Sequence, residues 1–587
     1  MEKWFVIQKG ADFQEIAGKF AIHPVTARLI RNREVVGDEA IYKYLKGGVG
    51  ELYDPHLLKD ADKLVDILQK KIMDGAKIRV IGDYDIDGVM STYILYRCIK
   101  RCGGNVSTQI PDRIRDGYGI NEHLIEEAYQ AGVDTIITCD NGIAAIDEIA
   151  RAKELGMTVL VTDHHEIPYI EIAKESTERQ YRKSRADAIV NPKQPECPYP
   201  FKGLCGAAVA FKVMQILYER FKISEEIWGF LENVAFATVG DVMDLTDENR
   251  ILVREGLKRI RATKNPGMRA LILQNQLEME CISAYHIGFV LGPCVNASGR
   301  LETARESLNL FLQENQEDAA RIAKKLVELN AQRKGMTAEG VEEAKLFVEQ
   351  GGAGEKVLVI FLPEVHESLA GIIAGRIREM YHRPAFILTR SEEGVKGSGR
   401  SVEEYSMYEE LCKCQELFTK FGGHPMAAGI SLPEENVDIF REKINRNCSL
   451  QEEDFIPKVK IDIAMPVDYP DAALVRELDL LEPFGKGNVK PQFADKNLRV
   501  ERAAVVGRNR NVLKLNLMTE QGKRVSAVYF GDIESWKVYY AEKFGQQALD
   551  AAFRGQENGI RMSVVYYPEI NTYQGTQNVQ VVIRNYK

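Results

Sequence analysis

The sequence predicts an α/β protein: two α/β domains, the first on a parallel sheet, joined by a long helix and followed by a C-terminal β-barrel. Three patterns carry this. Short apolar runs alternate with helical stretches of about 10–15 residues through 76–314, the signature of βαβ units. A charged helical stretch over 315–350 runs into Gly351, Gly352 and Gly354, and the pattern after residue 455 turns to alternating β. At 587 residues the chain is also too long for a single core.

Residues 1–75 read as a helical region with a basic patch at Arg28, Arg31 and Arg33. The period then changes. KIRVI (77–81) is a short β-type run followed by GDYDIDG and a helix through Tyr93, Ile94 and Leu95. DTIITCDNG and MTVLVTDHHE each read as strand then turn, with the helix IAAIDEIARAKELG between them, and a further strand is expected near Ile189. After the connecting helix, a second α/β unit spans 351–454, beginning at KVLVIFL and containing KGSGRS and FGGHPMAAG. In 455–587, Leu513, Leu515 and Leu517 alternate with polar residues, and Val579, Val581 and Ile583 share one face of the tail. Several short strands in this length suggest a small barrel of the OB type.

Composition narrows the class. Hydrophobic residues make up 45% and charged residues 28%, as in a soluble globular protein. No apolar run approaches the roughly 18 residues of a membrane span, and MEKWFVIQKGADFQE lacks a secretory pattern. The ten cysteines include no CxxC pair, so reduced thiols in a cytoplasmic protein are expected. A net charge of −9 excludes a wholly basic nucleic-acid coat but not a local basic groove.

Acidic residues cluster at strand ends. Asp83, Asp85 and Asp87 follow the first strand, Asp140 the second, and Asp163, His164 and His165 the third. In a parallel sheet these loops converge on one crevice. Asp241, after a predicted helix in ATVGDVMDL, is a candidate to complete the group. Adjacent carboxylates raise one another's pKa unless a cation intervenes, and oxygens with one or two imidazoles suit Mn²⁺ or Mg²⁺. Two such ions about 4 Å apart would clamp a phosphate and activate water, with no covalent nucleophile. A calcium loop of the EF-hand type fails here: its twelfth position from Asp83 is Ile94 rather than glutamate, and a strand precedes it.

With these motifs in view, the chain resembles the DHH phosphoesterase superfamily, whose defining triplet is Asp163-His164-His165, in the RecJ-like arrangement. GDYDIDG, CDNG, TDHHE, VNP, YPFKGLCGAAVAFK, VGDVMDL, GPCVNASGR, KGSGRS, GGHPMAAG and LEPFGKGNVKPQF fall in that order. The resemblance implies a DHH domain, a DHHA1 domain and an OB-fold, and 5′-to-3′ exonuclease action on single-stranded DNA with two Mn²⁺ or Mg²⁺ ions, in repair and recombination. A helicase and a single-strand-binding protein are the implied partners. It assigns Asp85, Asp87, Asp140, His164 and Asp241 as metal ligands, with Asp83, Asp163 and His165 supporting the centre. It assigns Arg113, Asn296, Arg300, Ser398, Arg400, Gly422, Gly423 and His424 to substrate binding, and Arg400 suits a terminal phosphate because a guanidinium grips phosphate bidentately. Tyr529, Tyr566 and Tyr573 are candidate stacking residues on the barrel, weighed against a core role.

The chain departs from the family in places. Cys294 stands where the family's GPRINA has arginine, so that arginine's role must pass to Arg300 or be lost. Ile86 occupies a position where alanine or valine is commoner, and Ser176 to Gln180 reads as a small insertion. The alternatives are a DHH enzyme of short oligonucleotides or cyclic dinucleotides, which needs no polymer-tracking barrel, and a non-catalytic DNA-binding relative, which would be expected to have lost ligands.

Overall fold

The computed structural model describes residues 2–113, 115–117, 119–171, 179–391, 394–573 and 575–587. The chain forms two compact units, residues 51–457 and a discontinuous unit made of 1–50 with 458–587.

Within 51–457, five parallel strands lie in the order Asn105–Gln109, Lys77–Ile81, Thr135–Cys139, Thr158–Thr162, Ala188–Val190. Side chains alternate between two cores, as strand geometry requires. Ile78, Val80, Ile137, Cys139 and Leu160 pack with the helices Ile86–Arg101 and Gly206–Arg220. Ile81, Ile136, Val159 and Val161 pack with Leu124, Ile125 and Ile149 on the other face. Both faces are covered, which explains why Thr135–Cys139 reads as a continuous buried run. The chain builds outward from Lys77–Ile81 to Asn105–Gln109, then returns to Thr135–Cys139 on the other side. That reversal opens a crevice at the carboxyl ends of these strands.

The connecting helix runs Gln316–Glu349, 34 residues or about 51 Å at 1.5 Å per residue. Asn315 caps it by accepting from the Glu317 amide. Its first half places Ala319, Ala323, Leu326 and Leu329 in the core of the first domain, and its second half places Ala344 and Val348 in a core of the second. The second domain has a mixed sheet, ordered Lys420–His424, Ala427–Leu432, Gly394–Arg400, Ala385–Ser391, Leu358–Phe361, in which only the last two strands pair in parallel.

In the other unit, five strands close on themselves, because Phe493–Val506 pairs both with Val512–Met518 and with Arg561–Tyr573, and the short strand Ile463–Ala464 adds to Phe493–Val506. Trp536, Tyr540 and Tyr566 are fully buried in its core. The first two lie on the helix Ile533–Phe544, an element absent from the purely alternating reading. Residues 1–50 belong here. Lys3–Val6 pairs in parallel with Lys458–Ile461, the Tyr44 hydroxyl donates to Asn488 Oδ1 at 2.9 Å, and Arg33 meets Asp462 at 3.6 Å. The helix Ala61–Met73 instead supplies Leu64, Val65 and Leu68 to the first α/β domain. The single helical region read over 1–75 therefore divides between two cores, and a strand precedes its helices. The basic patch is internally engaged too, since Arg31 pairs with Glu34 at 3.0 Å and Arg28 lies over Phe13.

All ten cysteines are free thiols. No helix among the described residues is long and apolar enough to cross a membrane. Residues 172–178, which include Ser176 to Glu178 of the expected insertion, and the Tyr573 side chain lie outside the described residues.

Candidate metal centre and substrate cavity

The acidic groups meet at the carboxyl ends of the three central strands. Asp85 is the N-cap of Ile86–Arg101, accepting from the amides of Asp87 (2.9 Å) and Gly88 (3.0 Å). Asp87 is fixed from a different element: its two oxygens accept from the first amides of Gly206–Arg220, Gly206 at 2.6 Å and Ala207 at 2.8 Å. An N-terminal helix end favours a carboxylate there. Gly206 permits the approach, because a Cβ at that position would lie 2.7 Å from the Asp140 Cβ. Asp140 itself has φ +60°, a conformation that aspartate tolerates better than most residues. Asp241 ends the helix Leu231–Gly240.

These elements bring the donors together around His164. Its Nε2 lies 3.0 Å from Asp140, 3.5 Å from Asp87 and 3.9 Å from Asp241. Three overlapping groups have donor atoms all within 4.8 Å: Asp140, His164 and His165; Asp87, His164 and Asp241; Asp83, Asp85 and Asp140. Asp163 plays another part. Its Oδ1 accepts from the amides of His164 (2.7 Å) and His165 (3.0 Å) and from His165 Nδ1 (2.8 Å), while Oδ2 accepts from the Ile143 amide (2.8 Å).

The electrostatics separate the two kinds of carboxylate. Burial, followed by the charges of Asp87, Asp85 and Asp83, pushes Asp140 well above the usual carboxylate range. Burial and Asp85 do the same to Asp83, and burial and Asp87 raise Asp85. Burial also favours the acid form of Asp163, but its hydrogen bond to His165 and the nearby imidazoles hold it low. His165 resists burial through the same contact and is raised to about 9. Burial lowers His164.

A divalent cation fits this donor set. Both ring nitrogens of His164 and the Oδ2 of Asp83 are buried without a hydrogen-bond partner, a cost that a metal would relieve. Carboxylate oxygens with imidazole suit Mn²⁺ or Mg²⁺.

The assigned substrate residues divide. Ser398 and Gly422 line a cavity together with Arg113 and Tyr84 of the first domain, and the Arg113 guanidinium sits 4.7 Å above the Tyr84 ring. Arg300 is anchored by Nη1 donating to the Ser368 carbonyl at 2.6 Å. Arg400 lies on the same strand as Ser398, where its Nη1 donates to Gly399 O. Asn296 is partly committed to structure, since its Oδ1 accepts from the Ile86 amide at 2.8 Å. Gly423 and His424 lie at the hairpin end of their strand, outside this cavity lining. Lys396 and Lys420 line the cavity and were not expected there. Each lies two residues before an expected residue, Ser398 or Gly422, and a period of two on a strand was the signal available. On the barrel, Tyr566 is a core residue whose hydroxyl donates to the carbonyls of Met465 and Pro466 at 3.0 Å. Of the two roles weighed for Tyr566, the core role is the one its burial supports. Tyr529 is half-buried against Tyr586.

Glu232, in the first turn of the helix leading to Asp241, is raised to about 7 by burial. The unfolded chain releases this proton near 4.5, so between about pH 4.5 and 7 the folded state holds more protons and stability falls as pH rises. Glu232→Gln is expected to be more stable than the parent at pH 8 by about 3 kcal/mol, and nearly equally stable at pH 4.5. A gap independent of pH in paired melts would refute the assignment.

Fold and donor set together define a metal-dependent phosphoesterase of the DHH class. Residues 77–238 match the DHH family N-terminal domain, 354–450 the DHHA1 domain, and 461–585 the RecJ OB domain. The single-stranded-DNA-specific exonuclease RecJ of Bacillus subtilis is 32% identical over 99% of this chain and 70% of its own. The Escherichia coli enzyme of the same name is 30% identical over 96% and 95%. The crystal structure of Thermus thermophilus RecJ with Mn²⁺ superposes with a TM-score of 0.81 at 26% identity, covering 100% of this chain and 79% of that one. The chain belongs to the RecJ family.

Proposed function

We propose that this chain is a single-stranded-DNA-specific exonuclease that hydrolyses phosphodiester bonds from the 5′ end. The observation that carries the reading is the buried His164 ring, whose Nε2 faces three carboxylates. Asp85, Asp87, Asp140, His164 and Asp241 hold two ions, Mn²⁺ or Mg²⁺. Such ions, when bound, polarise the phosphoryl group and lower the pKa of the attacking water. The remaining work falls to the chain. Asp163 orients His165 by holding its Nδ1. Arg113, Arg300, Ser398 and Arg400 hold the terminal phosphate and the first nucleotide, with Asn296, Gly422, Gly423 and His424 completing the path. Passage width, rather than base reading, excludes duplex.

The working domains are 76–314 for catalysis, 315–350 as connector, 351–454 for substrate and 455–587 for strand binding, the last completed by residues 1–50. A helicase and a single-strand-binding protein supply the strand, in cytoplasmic repair and recombination.

The test is Mn²⁺-supported digestion of single strands labelled at one end or the other, with duplex and dinucleotide controls. Release of the 5′ label as mononucleotide, gradual shortening from the 3′-labelled side and survival of duplex are expected. Cleavage of dinucleotides alone would overturn the reading in favour of a short-substrate enzyme. Arg400→Ala is expected to lower the preference for a 5′-phosphorylated over a 5′-hydroxyl strand by about tenfold, the worth of one charge-assisted contact. Paired kcat/KM values measure it, and an unchanged ratio would remove Arg400 from the phosphate site.

A further inference from the structure

The wall that the second domain gives to the substrate cavity is one face of its sheet, and strand register sorts that face into rows. Lys396 and Lys420 both lie directly opposite Ser431, on the two strands that flank it. The next row on the same face, two residues along each strand, is Ser398, Gly429 and Gly422. The third is Arg400, Ala427 and His424. The first two rows line the cavity and the third does not. The cations that the sheet brings to the cavity are therefore the two lysines, whereas Arg400 Nη1 donates to the Gly399 carbonyl. The middle row keeps the floor low. A Cβ added at Gly422 would meet nothing within 4 Å, and one at Gly429 only the Gly397 carbonyl at 4.0 Å, so a ligand can rest against backbone there.

The charges lining the cavity do not cancel. Lys396 Nζ lies 3.1 Å from Glu367 Oε2, and Glu367 lines the same cavity. Lys420 makes no ion pair among the described residues. Arg113 adds a third cation from the first domain. Three cations against one carboxylate leave an excess of two positive charges. A terminal phosphate carries about −1.5 to −2 at neutral pH and matches that excess, whereas an internal diester carries a single charge. Two strand spacings separate the lysine backbones by about 9.6 Å. Two lysine side chains can close that span on one phosphate through charge-assisted contacts of about 2.8 Å.

We infer that Lys396 and Lys420 cradle the 5′-terminal phosphate over Ser431, and that this phosphate displaces Glu367 from Lys396. The inference rests on the nuclease reading and adds to it the residues that tell a phosphorylated end from the strand behind it. Glu367 then serves as a counter-ion for the empty cavity, and a dianion replaces it more effectively than a monoanion.

The experiment compares kcat/KM of the full chain with Mn²⁺ on identical single strands that end in a 5′-phosphate or a 5′-hydroxyl. Lys420→Gln is expected to lower the ratio of the two about tenfold, the worth of one charge-assisted contact, through KM on the phosphorylated strand. Lys420 is exposed, so its variants change charge without disturbing the core. Lys420→Arg should keep the ratio. Lys396→Gln leaves Glu367 facing the phosphate and should lose at least as much as Lys420→Gln. Glu367→Gln frees Lys396 and should raise the ratio about threefold, the scale of one exposed ion pair. Equal losses on both ends in Lys420→Gln would put this lysine along the strand rather than at its end, and an unchanged ratio would put the phosphate elsewhere. Either result overturns the inference. A parent chain that leaves single strands intact would overturn the nuclease reading itself, which keeps the two failures distinct.

Discussion

Asp140→Asn is expected to abolish hydrolysis, by at least about a thousandfold or 4 kcal/mol of transition-state stabilisation, while leaving the fold intact. Asp140 belongs to two of the three donor groups and lies 3.0 Å from His164. Asparagine is the informative replacement because the position has φ +60°, which alanine tolerates less well. The stability measurement moves in the opposite direction. Without metal, burial and three neighbouring aspartates penalise the Asp140 charge, so the metal-free variant should melt no lower than the metal-free parent. Mn²⁺ at about 100 times its Kd should stabilise the parent by about 2.7 kcal/mol and the variant by much less. Retained turnover, or equal stabilisation of the two proteins by Mn²⁺, would remove Asp140 from the metal centre.

Gly206→Ala should cost about a hundredfold in kcat, the penalty expected for a displacement of about 1 Å at a reacting centre. The added methyl would meet the Asp140 Cβ at 2.7 Å and its Cα at 3.0 Å. Neither atom is the end of a flexible side chain, so the helix start or the Asp140 turn must move. The same helix start holds both oxygens of Asp87, and movement therefore changes the spacing between Asp87 and Asp140. Overpacking of this kind also destabilises by about 1–3 kcal/mol. Turnover within twofold of the parent, with circular dichroism showing a native fold, would mean that the spacing tolerates the shift.

The centre was legible because strand ends are a topological constraint. Once Lys77–Ile81, Thr135–Cys139 and Thr158–Thr162 were read as parallel strands, Asp83 to Asp87, Asp140 and Asp163 to His165 had to share one edge. What supports them was less visible. Amides of Gly206 and Ala207 hold Asp87 without any side-chain signature, so YPFKGLCGAAVAFK was legible as a motif of the resemblance but not as the support of Asp87. Lys396 and Lys420 look like ordinary exposed lysines until two strands place them over one cavity. The placement of residues 1–50 was illegible for another reason. WFV is too short a run to declare a strand, and its partner lies at Lys458–Ile461.

That last pairing sets an order of events on the ribosome. The partner of Lys3–Val6 is synthesised about 450 residues after it, roughly 20–90 s at 5–20 residues per second. Residues 51–457 form a contiguous unit and can fold during that interval. The nascent amino-terminal segment must meanwhile wait with an unpaired strand and the apolar faces of its helices uncovered, including Ile30, Ile41 and Leu45. The barrel closes after that unit, and with it residues 1–50 acquire their neighbours. A ribosome stalled before residue 458 would therefore carry a folded catalytic unit with a sticky leader, a natural client for a chaperone that binds short apolar segments.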